Sequence, residues 1–382
     1  MSQLQKVRKV IFVANTARFF VMFEQNNIRL LQSMGYEVHC ASNFEKERDV
    51  DAKTILQQLN VTIHQIDIAR SPFSMRNLNA YRQLKALMQR EGFDLVDCHT
   101  PMGGVLARLA AKATKTAPVL YTAHGFHFYK GCPLQNRLIY ETIERWLARY
   151  TDGLITINEE DYQAAKSFHL RGKAYKIPGV GIDVKGIHDL KVDRAQKRRE
   201  LGVPEDAFVT LSVGDLNANK NHSTAIKAFA KADIPNSYYL ICGEGELRNE
   251  LSSLAEKLGV SQRIRLLGFR NDVREILKAS DLFVFPSFRE GLSVALLEAV
   301  SAGVTCIASN IRGNVDLLDE AFLFSPNDVQ TIKKKIELGK EFNEKSKIIK
   351  FKKKKENIEK YSTAYVSVAM KKIYESSALR GE

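Results

Sequence analysis

The sequence has 382 residues, of which 45% are hydrophobic and 26% are charged, with a formal net charge of +13. This length allows two domains and a large core, and the composition excludes a disordered or fibrous chain. No apolar stretch approaches the roughly eighteen residues of a membrane span, and the five scattered cysteines exclude a disulfide framework.

The first half of the chain alternates β-branched segments with amphipathic ones, which is typical of a parallel, doubly wound sheet. The predicted strands are Val7–Ala14, Tyr36–Ala41, Val61–Ile68, Asp94–His99, Pro118–Ala123 and Gly153–Ile157. The predicted helices are Phe20–Met34, Asn77–Arg90, Gly104–Ala113 and Leu134–Arg149.

A second alternating series follows a charged, loop-like stretch around Lys173–Val192. Its predicted segments are Ala207–Gly214, His222–Lys231, Tyr238–Cys242, Leu247–Leu258, Ile264–Leu267, Val273–Lys278, Leu282–Phe285, Leu292–Ala302 and Val304–Ala308. We place the domain boundary between residues 185 and 186, with a C-terminal domain of residues 186–362. Two Rossmann-like halves of this kind bind ligands at the carboxyl ends of their strands, in a cleft between the sheets.

The tail is strongly basic: residues 331–380 carry fifteen Lys or Arg and six Asp or Glu, and the densest run is Lys352–Lys355. A solvated helix face is the usual meaning of such a run. A nucleic-acid binder is the alternative, although no recognition module or interleaved aromatic residues accompany the lysines.

The stretch Ser287–Gly303 follows an apolar run that is typical of a buried parallel strand. We predict a helix whose first turn begins near Gly291, so that Glu290 lies at its N-terminus and Glu298 about 12 Å along the same face. The amides of Gly291 and Leu292 would then favour an anion. A nucleotide-sugar offers a diphosphate for these amides and hydroxyls for the two carboxylates. The other interpretation is an ordinary amphipathic helix with two solvated acids.

The same stretch resembles the Glu-x7-Glu motif of the retaining glycosyltransferases of family 4, which have the GT-B fold; Pro286, Ser287, Glu290 and Gly291 carry the likeness. The segment His124-Gly125-Phe126-His127-Phe128, with Ile177–Asp183, is similar to bacterial members that assemble capsule and exopolysaccharide. The resemblance covers nearly the whole chain. It implies an α/β GT-B architecture in which residues 1–185 form the N-terminal domain and residues 363–382 cross back to it.

The resemblance also implies roles for individual residues. His124, which ends a predicted strand, would contact the donor sugar, and Glu290 would hold its hydroxyls. Lys220, in the loop Gly214–His222, would neutralise the leaving diphosphate, and Glu298 would bind the ribose.

Further donor contacts implied by the resemblance involve Gly243, Arg270 and Gly313, together with Gly291 and Leu292 of the motif. Asp215 stands where the family pattern has Arg. A carboxylate cannot pair with phosphate, so the missing cation would come from Arg289 or Arg18.

We expect no metal and no cofactor, since the nucleotide-sugar is the donor substrate. Asp49-Val50-Asp51 formally matches the Asp-x-Asp of metal-dependent transferases, but it follows a charged stretch away from any strand end and is typical of a solvated helix start. No other His, Cys or carboxylate cluster has ligand spacing.

The resemblance implies a retaining hexosyl- or N-acetylhexosaminyltransferase that moves a sugar from a UDP-sugar to a polyprenyl-diphosphate-linked saccharide. The basic face of residues 71–90 and the loop Phe126–Lys130 could meet an anionic membrane surface. We expect a cytoplasmic protein at the inner face of the cell membrane that binds no nucleic acid. The alternatives are a UDP-sugar 2-epimerase on the same fold, which needs no acceptor, and the nucleic-acid binder.

Overall fold

The computed structural model describes residues 7–45, 50–344 and 355–378. The chain divides into two compact units: unit 1 comprises Met1–Val180 with Thr363–Glu382, and unit 2 comprises Gly181–Ser362. The first division therefore lies five residues before the boundary that we placed at residue 185. Asp49 and the lysines at 352–354 lie outside the described residues.

Unit 1 is built on a seven-stranded sheet in which every described strand pair is parallel. Its strands are β1 (Arg8–Val13), β2 (Tyr36–Ser42), β3 (Thr62–Gln65), β4 (Leu95–His99), β5 (Val119–Ala123), β6 (Gly153–Thr156) and β7 (Lys173–Lys176). They lie in the order β3-β2-β1-β4-β5-β6-β7. Strands β4 and β5 are buried along their length, and β1 is buried from Val10 onward, because helices cover both faces of a parallel sheet.

The α-helices of unit 1 connect these strands, except for the last one, which follows unit 2 in the chain. They are Ala17–Phe19, Gln25–Ser33, Val50–Gln58, Arg76–Glu91, Pro101–Thr114, Leu134–Asn136, Thr142–Leu147, Glu159–Lys166 and Thr363–Ala378. The segments Phe20–Glu24 and Arg137–Glu141 are π-helical, and Ala148–Tyr150 is a 3₁₀ turn.

The last helix, Thr363–Ala378, belongs to unit 1 although it follows unit 2 in the chain. Val366, Met370 and Tyr374 are buried on its inner side. The Tyr374 hydroxyl donates a hydrogen bond of 2.7 Å to Oδ2 of Asp97 in β4. The expected return of the C-terminal helix to the first domain is confirmed.

Unit 2 has a six-stranded parallel sheet in the order β10-β9-β8-β11-β12-β13. Its strands are β8 (Phe208–Val213), β9 (Ser237–Cys242), β10 (Ile264–Gly268), β11 (Leu282–Phe285), β12 (Thr305–Ser309) and β13 (Leu323–Phe324). Its α-helices are Val184–Asp189, Arg194–Glu200, His222–Ala232, Arg248–Lys257, Val273–Ala279, Val294–Ser301 and Val329–Glu344. Its 3₁₀ turns are Ala218–Lys220, Ser261–Arg263, Glu320–Phe322 and Lys355–Tyr361.

Some elements were missed by the sequence analysis. Strand β7 has the sequence Lys-Ala-Tyr-Lys and no fully buried residue, because it is an edge strand. Strand β13 has two residues, too few to show a period. Over the described residues, no helix is both long enough and apolar enough to span a bilayer.

Candidate functional site

The helix of the Glu-x7-Glu stretch starts later than the sequence predicts. It runs from Val294 to Ser301, and the Ser293 side chain caps it by accepting a hydrogen bond from the Leu296 amide. The expected start near Gly291 is therefore wrong, because the Ser293 side chain accepts a hydrogen bond from the first turn, which a glycine has no side chain to do. Gly291 and Leu292 lie in the turn before the helix, and Glu290 precedes that turn.

Lys220 and Glu290 form an ion pair at the carboxyl end of the unit 2 sheet. Lys220 Nζ lies 2.7 Å from Glu290 Oε1, and the two side chains are 20% and 15% exposed. Backbone bonds hold the two loops together, since the Phe288 amide donates to the Asn219 carbonyl over 2.8 Å. The Asn219 side chain donates in turn to the Arg289 carbonyl over 3.0 Å. The fold thus brings together two of the three predicted catalytic residues.

The loop after β12 closes against the same turn. Gly313 has a φ of +77°, and a Cβ atom built there would lie 2.1 Å from the Gly291 carbonyl oxygen. Only glycine allows both the left-handed backbone and this close approach. Arg312, a buried side chain, donates through Nε to the Glu290 carbonyl over 2.9 Å. Arg312 therefore fixes the backbone that presents the Glu290 carboxylate.

A second close approach joins the loops after β8 and β9. A Cβ atom at Gly243 would lie 2.0 Å from the Gly214 carbonyl oxygen. Asp215, next in the chain, is exposed. Gly243 thus has a packing role that accounts for the glycine without any ligand.

Two other predicted donor contacts in unit 2, Glu298 and Arg270, already have protein partners. Glu298 Oε1 lies 3.1 Å from Arg274 Nε. Arg270 binds both oxygens of Asp272, over 2.7 and 2.5 Å. These hydrogen bonds from Arg270 are the main reason that the pKa of Asp272 falls to about 2. Arg289 is half-buried next to Glu290 and contributes its carbonyl to the loop contact described above.

His124 lies in unit 1, beside two buried residues that the sequence analysis did not select. Its Nε2 atom is 3.4 Å from His99 Nδ1 and 3.8 Å from Glu24 Oε1. His99 Nδ1 is 3.5 Å from the same Glu24 oxygen. His99 Nε2 faces Asp97 Oδ1 at 3.3 Å, and Asp97 accepts the bond from Tyr374. A chain of polar side chains thus runs from His124 through β4 to the last helix.

Burial sets the protonation of this chain. It raises the pKa of Glu24 well above its ordinary value and lowers the pKa of His99 well below its own. Burial also lowers the pKa of His124 to about 4. The two imidazoles are therefore neutral near pH 7, and His124, whose side chain is 20% exposed, can donate or accept a hydrogen bond.

Glu24, His99 and His124 are also residue types that hold metal ions. One possible ligand atom from each lies within 4.8 Å of the others. Sequence spacing gave no hint of this trio, because its members come from three separate elements. The fold therefore shows where an ion could bind in unit 1.

Part of the aromatic loop Phe126–Lys130, which follows His124, belongs to the hydrophobic core of unit 1. Phe126 and Phe128 are buried, stack on each other with ring centroids 4.7 Å apart, and contact Phe168. The expectation that these two rings could meet a membrane surface is wrong, because they pack inside unit 1. His127 contacts the ring of Tyr140 at 4.9 Å.

Two family models together match most of the chain. The model described as "Glycosyl transferase 4-like" matches residues 9–158, and the one described as "Glycosyl transferases group 1" matches residues 193–363. The two matches fall in unit 1 and, except for one residue, in unit 2. This agrees with the resemblance seen in the sequence.

Two similar proteins have names that describe glycosyltransferases. The chain is 39% identical over 340 residues to a putative glycosyltransferase EpsD of Bacillus subtilis, covering 86% of this chain and 87% of that protein. It is 33% identical over 275 residues to the UDP-Gal:alpha-D-GlcNAc-diphosphoundecaprenol alpha-1,3-galactosyltransferase of Escherichia coli, covering 68% and 71%.

A solved structure shares the fold. HepE of Anabaena, crystallised with UDP and glucose, matches with a TM-score of 0.78 at 18% identity, covering 97% of this chain and 100% of that one. At this identity the likeness shows the architecture alone, which is GT-B. The chain therefore belongs to the family 4 glycosyltransferases with the GT-B fold that act in polysaccharide biosynthesis.

Proposed function

We propose that the protein is a retaining glycosyltransferase that moves a hexosyl or N-acetylhexosaminyl group from a UDP-sugar to a polyprenyl-diphosphate-linked saccharide. The observation that carries the proposal is the Lys220–Glu290 pair, held at the carboxyl end of a parallel sheet by loops packed at backbone contact. This end of an α/β sheet is where such folds bind ligands.

The donor would bind to unit 2 as follows. The Lys220 ammonium would neutralise the departing diphosphate, and the backbone at Gly291, Leu292 and Gly313 would approach it closely. Glu290 would hold hydroxyls of the sugar. Glu298 would exchange its partner Arg274 for the ribose hydroxyls. No metal ion is needed at the diphosphate in this scheme, because fixed protein charges and amides stabilise the developing negative charge.

The chemistry breaks one bond and forms one. The bond between the anomeric carbon and the diphosphate oxygen breaks, and the acceptor hydroxyl oxygen bonds to the same carbon on the same face. The acceptor proton passes to the leaving diphosphate. His124, neutral near pH 7, would offer a hydrogen bond to the donor sugar without adding a charge.

The choice of donor and acceptor is supported by similar proteins. The printed name of the Escherichia coli relative gives UDP-Gal as donor and a diphosphoundecaprenol-linked sugar as acceptor. HepE binds UDP and glucose in its crystal structure. A polyprenyl-linked acceptor would place this protein at the inner face of the cell membrane, in capsule or exopolysaccharide assembly.

The test has three steps. Calorimetry with UDP and GDP measures nucleotide preference, and we expect UDP to bind more tightly. Incubation with a panel of UDP-sugars and a synthetic polyprenyl-diphosphate-linked sugar identifies the product, and NMR of its anomeric proton establishes retention. An inverted linkage would contradict the retaining mechanism. Interconversion of UDP-sugars without acceptor would show a 2-epimerase instead.

A further inference from the structure

Residues 134–150 of unit 1 form one continuous helical segment with an apolar outer side. It consists of Leu134–Asn136, the π-helical turn Arg137–Glu141, Thr142–Leu147 and the 3₁₀ turn Ala148–Tyr150. Its exposed apolar residues are Leu134 (69% exposed), Leu138 (63%), Ile139 (50%), Ile143 (37%) and Trp146 (44%). We call these five residues the 134–146 face.

The face is continuous along the segment. Leu138 and Ile139, which are adjacent in the π-helical turn, are both exposed. Leu134 and Leu138, and Leu138 and Trp146, are separated by four and eight residues. The face therefore follows one side of the segment for several turns.

The opposite side of the segment is already packed. Leu147 and Ala148 are fully buried or nearly so. Glu144 is buried, and its Oε2 accepts a bond of 2.9 Å from Arg108 Nη1. Unit 1 therefore does not need the 134–146 face for its own core. Single exposed apolar residues are common, but a contiguous apolar stripe on the solvent side of a helix marks an interaction site.

Basic side chains flank the face. Residues 130–150 contain Lys130, Arg137, Arg145 and Arg149 against Glu141 and the buried Glu144, a difference of +2. Arg137 and Arg145 are 68% and 44% exposed, and both pair with Glu141. An apolar helix side with arginines at its edges is the pattern of helices that lie in the interface of an anionic bilayer.

A basic pocket adjoins one end of the face. Trp146 contacts the ring of Tyr150 at a centroid distance of 5.7 Å, and the Tyr150 hydroxyl accepts a bond of 2.7 Å from Lys112. Tyr150, Lys112, Lys115 and Arg171 line a pocket of about 190 Å³. Arg171 pairs there with Asp152, so the two lysines supply the pocket's excess positive charge. A lipid phosphate has the complementary charge.

We propose that the 134–146 face binds an anionic phospholipid bilayer, with the five apolar side chains at the level of the headgroups and upper acyl chains. Arg137, Arg145 and the pocket lysines lie against the lipid phosphates. The inference deepens the proposed function, because it names the surface that would bring the enzyme to a lipid-linked acceptor. The surface itself is defined by exposure and charge in unit 1 alone.

The chain contains its own reporter, since Trp146 is its one tryptophan. The full-length protein is mixed with phosphatidylcholine vesicles, with and without phosphatidylglycerol, and with no donor or acceptor present. We expect a blue-shifted, brighter emission and co-sedimentation with the anionic vesicles. Brominated acyl chains should quench the emission, and added salt should weaken the binding.

Two variants test whether vesicle binding depends on the 134–146 face or on exposed apolar residues in general. The double variant Leu138→Ser/Ile139→Ser should lower partitioning roughly tenfold or more, since it removes two large apolar side chains from the interface. Val368→Ser changes a similarly exposed residue of the last helix, at 57% exposure, and should bind as the wild type does. Both variants should keep the wild-type thermal melting, because the altered side chains point outward.

Three results would overturn the proposal. One is unchanged Trp146 emission and no sedimentation with anionic vesicles. The second is equal binding to vesicles of phosphatidylcholine alone, which would show that the face does not need anionic lipid. The third is a dimer in light scattering that Leu138→Ser/Ile139→Ser dissociates, which would show that a second copy covers the face. None of these depends on transferase activity, so failure of the proposed function is recognised separately.

Discussion

The clusters of polar side chains in the two units differ in charge. In unit 2, Lys220 and Glu290 meet as charged groups at 2.7 Å, on loops joined by backbone hydrogen bonds. In unit 1, His124, His99 and Glu24 lie 3.4 to 3.8 Å apart, and burial favours their neutral forms. Unit 2 therefore offers fixed charge suited to an anion, whereas unit 1 offers neutral hydrogen-bonding groups suited to hydroxyls.

We expect the largest effect on activity from removing the positive charge in unit 2. Lys220→Ala removes the ammonium that would stabilise the leaving diphosphate and leaves the Glu290 carboxylate without its cation. We expect kcat/KM for sugar transfer to fall roughly 10²–10³-fold. Steady-state kinetics with saturating acceptor gives the value.

The control for this variant is Lys227→Ala, which removes an exposed lysine from the helix His222–Ala232. It changes the net charge by the same amount and should leave kcat/KM near the wild-type value. A Lys220→Ala enzyme that is equally active would remove Lys220 from the catalytic assignment.

Two glycine substitutions distinguish the effect of the close contact between loops in unit 2 from the effect of left-handed backbone strain alone. Gly313→Ala puts a methyl group 2.1 Å from the Gly291 carbonyl oxygen, whereas Gly303→Ala, at a φ of +78°, meets no atom within 4 Å. Each variant should lose about 1–2 kcal/mol of stability from left-handed backbone strain. Gly313→Ala should lose further stability and weaken UDP binding as well.

Urea unfolding and calorimetry measure both quantities in the two variants. If Gly303→Ala weakens UDP binding as much as Gly313→Ala does, the contact between the loops after β11 and β12 has no special role in the site.

These loops also show what the sequence could predict. Lys220, Glu290 and Gly313 each lie in a short motif after a strand, so pattern and resemblance selected them, and the fold places them in neighbouring loops. The exact helix start was not predicted, because the Ser293 cap competes with the Glu-Gly turn. The sequence analysis did not select Arg312 as a site residue, because its hydrogen bond goes to the Glu290 backbone carbonyl, twenty-two positions away in the chain.

The chain of side chains in unit 1 could not be predicted in the same way. Glu24 ends a π-helical turn, His99 ends β4, and Tyr374 is 277 positions from its partner Asp97. No local spacing joins these residues. The one available signal was that β4 places two polar residues, Asp97 and His99, at the end of an otherwise apolar strand.

The neutral character of the unit 1 chain has a consequence for pH. Burial raises the pKa of Asp97 from 3.8 to about 7, so the folded chain binds more protons than the unfolded chain between those values. The stability from this group is complete below about pH 4 and is lost as the pH rises through 7. For Asp97→Asn we expect that loss, on the order of 4 kcal/mol, to disappear.

Hydrogen exchange of the β4 amides at pH 5 and pH 8 follows unit 1 separately from unit 2. The companion variant Tyr374→Phe removes the bond that lowers the pKa of Asp97, so its loss of stability should shift to higher pH. Identical pH profiles in Asp97→Asn and the wild type would show that Asp97 does not titrate in this range.

The smallest effect concerns Glu298, whose partner Arg274 is 45% exposed. An ion pair of this kind contributes little to stability, so Glu298→Gln should unfold at nearly the wild-type urea concentration. If Glu298 binds the ribose, the same variant should raise the donor KM roughly tenfold, since an amide accepts hydroxyl hydrogen bonds less strongly than a carboxylate. Arg274→Gln removes the same ion pair but keeps the carboxylate, and it should leave the donor KM unchanged or slightly lower. An unchanged KM in Glu298→Gln would remove this residue from the ribose site.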